Sequence, residues 1–383
     1  MRPDPFENEQ FYHCASLATT PRKTVLVGWG AREWLTAPLA ESASPFFFFP
    51  DYFLQDKRPW CRHEHAIELA LDELPLSFLE ASRVKPSPRC WQFPSFEAWE
   101  QVLREALSLI ASGHLTKILP YLFVRSNETL SSIEKARAMA HGLKRVRDCS
   151  SLFLYGFWEG ATGMLGVTPE PLFLIDRERP TTLVTGACAG TLPWRHSSQE
   201  KRVQFVEDAK EQREHRLVSW YLNEQLSGLG KVRIGKQKLV ESSGLLHLYT
   251  PLKVELKSDY GYSYLVEQLH PTPAVGGYPR ARGWEWLLAY ANREPRGRYG
   301  APVGYAWGEE RSCYVAIRNI QWDQHHVQMG AGCGIVAESE PQREWKEMQA
   351  KWYSIFESLA LPLPAYYRET SFLDGYTTAG SAS

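Results

Sequence analysis

Three short runs, Val303-Gly304-Tyr305-Ala306-Trp307, Cys313-Tyr314-Val315-Ala316-Ile317-Arg318 and His326-Val327-Gln328-Met329, follow one another late in a chain of 383 residues. Their apolar positions alternate or run on without a break, as in half-buried or buried strands. A helix from Gln342 to about Leu359 closes the series. Working back, strands fall near Ser151 to Phe157, Gly163 to Val167 and Leu172 to Ile175, again in a group. A strand is also expected over Lys117 to Val124. Helices are expected over Ser95 to Ala111, where Ser95 can cap the first turn, and over Ser131 to Arg147. A long polar helix is expected from Gln199 to Leu226, with Val203, Val206, Leu217 and Tyr221 as its inner stripe. Elements that cluster by type favour an α+β fold over a doubly wound parallel sheet.

The first 95 or so residues alternate strand-like runs (Thr24 to Val27, Phe46 to Phe49) with Pro-rich connections. One compact domain is expected over residues 1–364, with a polar tail over 365–383 expected to be disordered. The formal net charge is -1, which argues against a nucleic-acid partner. No apolar run approaches the length of a membrane span, and the first residues lack the apolar stretch expected of a secretory signal. Seven scattered cysteines, none in a Cys-x-x-Cys pair, fit a reducing cytoplasm. The cluster Cys61-Arg62-His63-Glu64-His65 lacks the second ligand pair that a structural zinc site needs.

The chemistry-bearing residues are mostly acids. Glu211 and Glu214 lie three apart, and so share one helix face. Glu344, Glu347 and Lys351 do the same on the C-terminal helix. Two such faces brought together would form an oxygen-rich pocket for a hard divalent cation, Mg2+ rather than zinc. A solvated helix face with ion pairs such as Lys210 with Glu214 is the plainer alternative. Lys117 opens an apolar strand with no acid beside it, where burial would favour the neutral amine of a base; a lysine reaching out to solvent is the other reading. Glu170 sits between Pro169 and Pro171 after a strand, a rigid setting for a general acid or simply a turn acid. Ala189-Gly190-Thr191 and Gly330-Ala331-Gly332-Cys333-Gly334 are glycine-rich segments that could present backbone N–H groups to a carboxylate.

Further segments extend the pattern. They are His270-Pro271-Thr272-Pro273-Ala274-Val275-Gly276-Gly277-Tyr278-Pro279, Arg298-Tyr299-Gly300, Val315-Ala316-Ile317-Arg318 and Ser339-Glu340-Pro341-Gln342-Arg343-Glu344-Trp345-Lys346-Glu347. In this order they resemble the chorismate-utilising enzymes: anthranilate, aminodeoxychorismate, salicylate and isochorismate synthases. The likeness spans about residues 95–360, leaving 1–94 divergent. It implies large antiparallel β-sheets packed together with helices outside.

The resemblance also implies roles. Glu214 and Glu347 would hold Mg2+, with Glu211 and Glu344 behind them, and the metal would grip the ring carboxylate of chorismate. Lys351, Gly190 and Thr191 would support that carboxylate, while Tyr299, Arg318 and the Gly332 amide would take the enolpyruvyl carboxylate. His247 would stand near the reacting carbons. Lys117 would activate water for attack at C2, and Glu170 would protonate the departing C4 hydroxyl.

Three positions select the branch. Lys117 stands where amine-adding members resemble one another in having glutamine. Ala189 replaces the nucleophilic lysine of aminodeoxychorismate synthases, and Ala274 replaces a threonine of salicylate synthases and the amine-adding branch. The resemblance therefore implies an isochorismate synthase, an isomerase acting without a glutaminase subunit. Salicylate synthase and a non-catalytic chorismate-binding homologue are the alternatives; menaquinone, siderophore and salicylate formation are the outlets considered for the product. The departures are Leu122 where an arginine is usual, Pro120 inside the expected strand, Cys188 before Ala189-Gly190-Thr191, and Gly276 for a serine.

Overall fold

The computed structural model describes residues 5–39, 42–75, 78, 80–194 and 197–364. The expected disordered tail over 365–383 lies outside the described residues. A short helix, α1 (Glu9–His13), leads into the first strand.

Nearly every strand joins one 16-stranded sheet. From one edge it runs β11 (Gly230–Ile234), β13 (Leu245–Leu256), β10 (Thr182–Pro193), β9 (Pro171–Ile175) and β16 (Glu310–Val315). It continues through β15 (Pro302–Trp307), β3 (Phe46–Phe48), β4 (Trp60–Ala70), β2 (Thr24–Leu35) and β1 (Cys14–Thr19). The far half is β7 (Phe153–Glu159), β8 (Thr162–Thr168), β17 (Asn319–Trp322), β18 (Val327–Gly332) and β6 (Tyr121–Ser126). A further strand, β12 (Lys238–Ser242), pairs with β13. Neighbouring strands run antiparallel, as in β10 with β13 and β18 with β6.

The sheet curls until its halves touch. Phe153 on β7 stacks on Tyr314 of β16 with ring centroids 4.6 Å apart, and Tyr314 Oη donates to Thr19 O on β1 at 2.5 Å. Those strands are distant in the sheet order, so the contacts close an aromatic core inside the fold. A second core lies between β9, β10, β13 and two helices. The α+β expectation with helices outside large antiparallel sheets is thus what the chain adopts.

Helices α2 (Phe96–Ala111) and α3 (Ser132–Asp148) form where the periodicity places them. The Ser95 hydroxyl accepts from Ala98 N at 3.2 Å, while Trp99, Leu103 and Ala106 are fully buried. Ser131 and Glu134 close a capping box on α3. Beyond them come α6 (Tyr262–Leu269), α7 (Arg280–Ala291) and α8 (Pro341–Ser358).

The expected helix over 199–226 is two helices, α4 (Gln199–Glu207) and α5 (Ala209–Leu229). Asp208 divides them: its backbone is extended and its side chain accepts from Glu211 N at 3.0 Å, restarting the helix as an N-cap. The inner stripe changes accordingly. Val203 is 47% exposed, and the buried positions are Phe205, then Lys210, Glu211, Glu214, His215, Val218 and Tyr221.

Two strand expectations also shift. Pro120 breaks the run at 117–124 because it cannot donate to a ladder. Lys117–Ile118 becomes β5 of a separate two-stranded sheet with β14 (Gly277–Tyr278), and β6 starts at Tyr121. The strand expected to reach Arg318 ends at Val315. A turn follows at once, with Ile317 N donating to Val315 O at 2.8 Å, and Arg318 beyond it has φ +56°, a left-handed conformation costly for a side-chain-bearing residue. At the Cys61–His65 cluster, Cys61 and His63 point inward to Ser16 Oγ (3.6 and 2.9 Å), whereas Glu64 and His65 are exposed. Among the described residues, no helix is long and apolar enough to cross a membrane.

The cap at Asp208 is testable. Asp208→Ala should lower stability by about 1 kcal/mol in denaturant titration. Asp208→Asn, which keeps an accepting oxygen, should recover most of that loss.

Candidate active site

The two acidic helix faces do meet. Glu211 and Glu214 from the first turns of α5 and Glu344 and Glu347 from α8 are all buried, which rules out the solvated face. Lys210 lies among them. Its Nζ is 3.3 Å from Glu211 Oε1, 3.5 Å from Glu214 Oε2, 3.2 Å from Glu344 Oε1 and 3.5 Å from Glu347 Oε2. Arg343 clamps the helices from outside, reaching Asp208 Oδ2 and Glu211 Oε1 at 2.9 Å each. Even so, among the described residues Glu211 Oε2, Glu214 Oε2 and Glu344 Oε1 make no hydrogen bond.

This crowding splits the acids. Burial, reinforced by Glu347 and Glu214 for the one and by Glu347 for the other, raises Glu211 and Glu344 against the pull of Lys210. Burial would raise Glu347 too, but Lys351 and Lys210 outweigh it and hold that carboxyl well below its usual range. Lys351 Nζ lies 2.6 Å from Glu347 Oε1 and donates to Gly332 O at 2.7 Å. The residues able to hold a cation are therefore Glu211, Glu214, Glu344 and Glu347. Cys333 Sγ lies near Glu344 and Glu347, but burial raises its thiol well above its usual range. The other donors in the cage are carboxylate oxygens, the set a hard divalent ion prefers.

Above the acids opens a pocket. Its walls include Glu170, Gly190, Thr191, Glu214, His247, Ala274, Tyr299, Arg318, Gly332, Glu347 and Lys351. Of the fourteen positions singled out in the sequence, these eleven line it, while Glu211 and Glu344 lie behind it. Leu119, Pro169, Cys188, Val275 and Ile317 add wall that was given no role from the sequence.

Lys117 stands just behind the wall. It is fully buried, so it does not reach out to solvent. Contrary to expectation it has an acid partner: Nζ is 3.2 Å from Glu214 Oε1, a contact brought from almost a hundred residues away by α5. Nζ also donates to Pro273 O. Burial lowers the ammonium's pKa, and Glu214 offsets part of that fall. Backbone bonds from Thr116 N to Tyr278 O (2.7 Å) and Leu119 N to Gly276 O (3.0 Å) fasten the lysine's segment to the His270–Pro279 stretch.

Glu170 occupies the gap between β8 and β9. Its amide donates to Thr168 Oγ1 at 3.2 Å, and its carbonyl accepts from Val315 N at 2.9 Å. Burial pushes its carboxyl up to about 7, with Lys117, Lys351 and Arg318 pulling it back. His247 Nδ1 bonds to Gly190 O at 2.8 Å. Its Nε2 has no partner among the described residues, and burial with Arg318 lowers its pKa to about 3, so the ring is neutral. Gly190, at φ +75°, forms the bulge where β10 and β13 slip register between Ala189 and Leu192. A Cβ there would meet Glu211 Oε2 at 2.6 Å.

The sequence profile described as "Chorismate binding enzyme" matches residues 62–360. The chain belongs to this family. It is 30% identical over 272 residues to the salicylate biosynthesis isochorismate synthase of Pseudomonas aeruginosa, covering 68% of this chain and 54% of that protein. It is 29% identical over 261 residues to isochorismate synthase MenF of Haemophilus influenzae, covering 66% and 58%. The chain thus spans little more than half the length of these curated relatives. The solved structure of MenF, the menaquinone-specific isochorismate synthase from Escherichia coli, superposes with a TM-score of 0.75 at 18% identity, covering 94% of this chain and 92% of that one. That likeness is one of fold.

Gly334 offers a test of the site's packing. A Cβ there would lie 2.1 Å from Glu214 Oε1 and 2.5 Å from Lys117 Cε. Gly334→Ala should leave the circular-dichroism spectrum intact while weakening divalent-ion binding in calorimetry at least tenfold, about 1.4 kcal/mol.

Proposed function

We propose that this protein is a magnesium-dependent isochorismate synthase, adding water at C2 of chorismate with loss of the C4 hydroxyl. The single observation that carries the reading is a fully buried lysine amine just behind the wall of a pocket that also holds the buried carboxyl of Glu170. Lys117 has burial favouring the neutral form, and Glu170 is pushed up to about 7. One group suits removal of a proton and the other its donation. Support comes from relatives named isochorismate synthases and from Lys117, Ala189 and Ala274, the residues that the water-adding branch resembles.

In this reading the Lys351 and Arg318 side chains attract the substrate's two carboxylates, the guanidinium as a fork and the ammonium as a point charge. Tyr299 and the backbone at Gly190, Thr191 and Gly332 complete the binding walls. Lys117, held in direction by Pro273 O, takes the proton of the attacking water. Glu170 gives its proton to the leaving hydroxyl. His247, neutral and fixed by Gly190 O, turns Nε2 to the substrate without adding charge.

Glu214 and Glu347 would hold the magnesium, with Glu211 and Glu344 behind them. Four clustered carboxylates, three of whose oxygens make no hydrogen bond among the described residues, fit that ion. When bound it would supply positive charge for a carboxylate of the substrate. The reaction needs no ammonia and so no glutaminase subunit. Seven free thiols support a cytoplasmic location.

Incubation with chorismate and Mg2+, followed by chromatography, should yield isochorismate; salicylate with pyruvate, or anthranilate given ammonia, would overturn the branch. Lys117→Ala and Glu170→Gln should each cut kcat by about 10²-fold or more without loss of folded signal. Treatment with EDTA should abolish turnover, and excess Mg2+ should restore it.

The pH profile follows from the sign of each shift. Glu170 must be protonated to act, so kcat/KM should fall as pH rises through about 7. Lys117 must be neutral to act, so kcat/KM should also fall on the acidic side, at a pH below the ordinary range of lysine. A profile still rising at pH above that of Glu170 would remove that residue from the acid's role.

A further inference from the structure

The place where the four acids converge is already taken by a cation of the chain itself. Lys210 Nζ approaches all four carboxylates to between 3.2 and 3.5 Å, and its side chain is only 2% exposed. An ammonium has three N–H donors, too few for the oxygens around it. One approach, to Glu344 Oε2 at 3.3 Å, has hydrogen-bond geometry, and among the described residues three other carboxylate oxygens in the cage make no hydrogen bond, though two of them face Lys210 Nζ at 3.2 and 3.5 Å. Lys210 is therefore a charge match for the cage but a poor geometric one.

A divalent ion held by these same glutamates needs the same ground. Two cations within a few ångströms in a buried site repel strongly, because little water screens them. An ammonium has no lone pair to offer a metal. Lys210 lies in the first turn of α5, directly after the exposed Ala209 and the Asp208 cap, where a flexible four-carbon stem can turn aside without unwinding the helix.

We propose that Lys210 is the internal counter-ion of the metal-free protein and gives up its place when a divalent cation binds. The inference rests on the magnesium reading above. Lys210 keeps the cage folded while it is empty of metal and sets the metal affinity by competing for the acids.

The test uses the full chain and the metal alone. In EDTA, Lys210→Met should unfold at least ~5 °C below wild type, since buried carboxylates lose their cation. Calorimetry with MgCl2 should show the variant binding about tenfold tighter or more, because the competitor is gone. Equal or weaker Mg2+ binding by the variant would overturn the proposal.

Should the variant not fold in EDTA, wild-type crystals with Mn2+ decide the matter by anomalous scattering. Lys210 Nζ withdrawn from the glutamates supports displacement. Nζ keeping its four contacts beside a bound ion overturns displacement alone and leaves the magnesium reading standing. A wild type that binds no divalent ion overturns both.

Discussion

Carboxylates removed from water are costly unless positive charge replaces the solvent they lose, and this chain buries four of them between α5 and α8. The compensation is distributed. Lys210 sits among all four, Lys351 takes Glu347, and Arg343 ties Glu211 to Asp208. Much of the local architecture serves these contacts. The Asp208 cap starts α5 so that Lys210, Glu211 and Glu214 turn inward together. Glycine at 190 and 334 keeps backbone close to the carboxylates where a Cβ would collide.

The curled sheet supplies the rigidity that such a site requires. Its two halves lock through aromatic contacts such as Phe153 on Tyr314. The pocket is assembled where strands end or slip: the bulge at Gly190, the gap at Glu170 and the left-handed turn at Arg318. The stretch His270–Pro279 is mostly scaffold in this light. His270 Nε2 is fixed on Tyr52 O at 2.8 Å, and backbone bonds carry the Lys117 strand. Its nearest approaches to the chemistry are the Pro273 carbonyl, which aims the lysine, and the Ala274 and Val275 walls.

Environment, more than residue type, separates the acids. Glu170 and Glu347 line the same pocket, yet one is raised to about 7 and the other driven far down. Glu170 is buried with its cations at a distance, whereas Glu347 has Lys351 in direct contact. The same logic keeps His247 neutral next to Arg318. A site built this way can hold a proton donor and a permanent anion side by side.

The sequence by itself determined the class of fold, because grouped strands and capped helices are local signals: Ser95, Ser131 and the alternation in 303–329 are read within a few residues. It also determined which acids share a helix face, since i, i+3 and i, i+4 spacing puts Glu211 with Glu214 and Glu344 with Glu347 and Lys351 on common faces. Only the tertiary structure decided that those faces meet, that Lys210 stands between them, and that Lys117 answers to Glu214. Pairings across such sequence distances leave no periodicity to read. Boundaries failed where one residue overrode the pattern: Pro120 by lacking an N–H and Asp208 by capping. The curling of the sheet was equally hidden, because it arises from contacts between strands that no local propensity encodes.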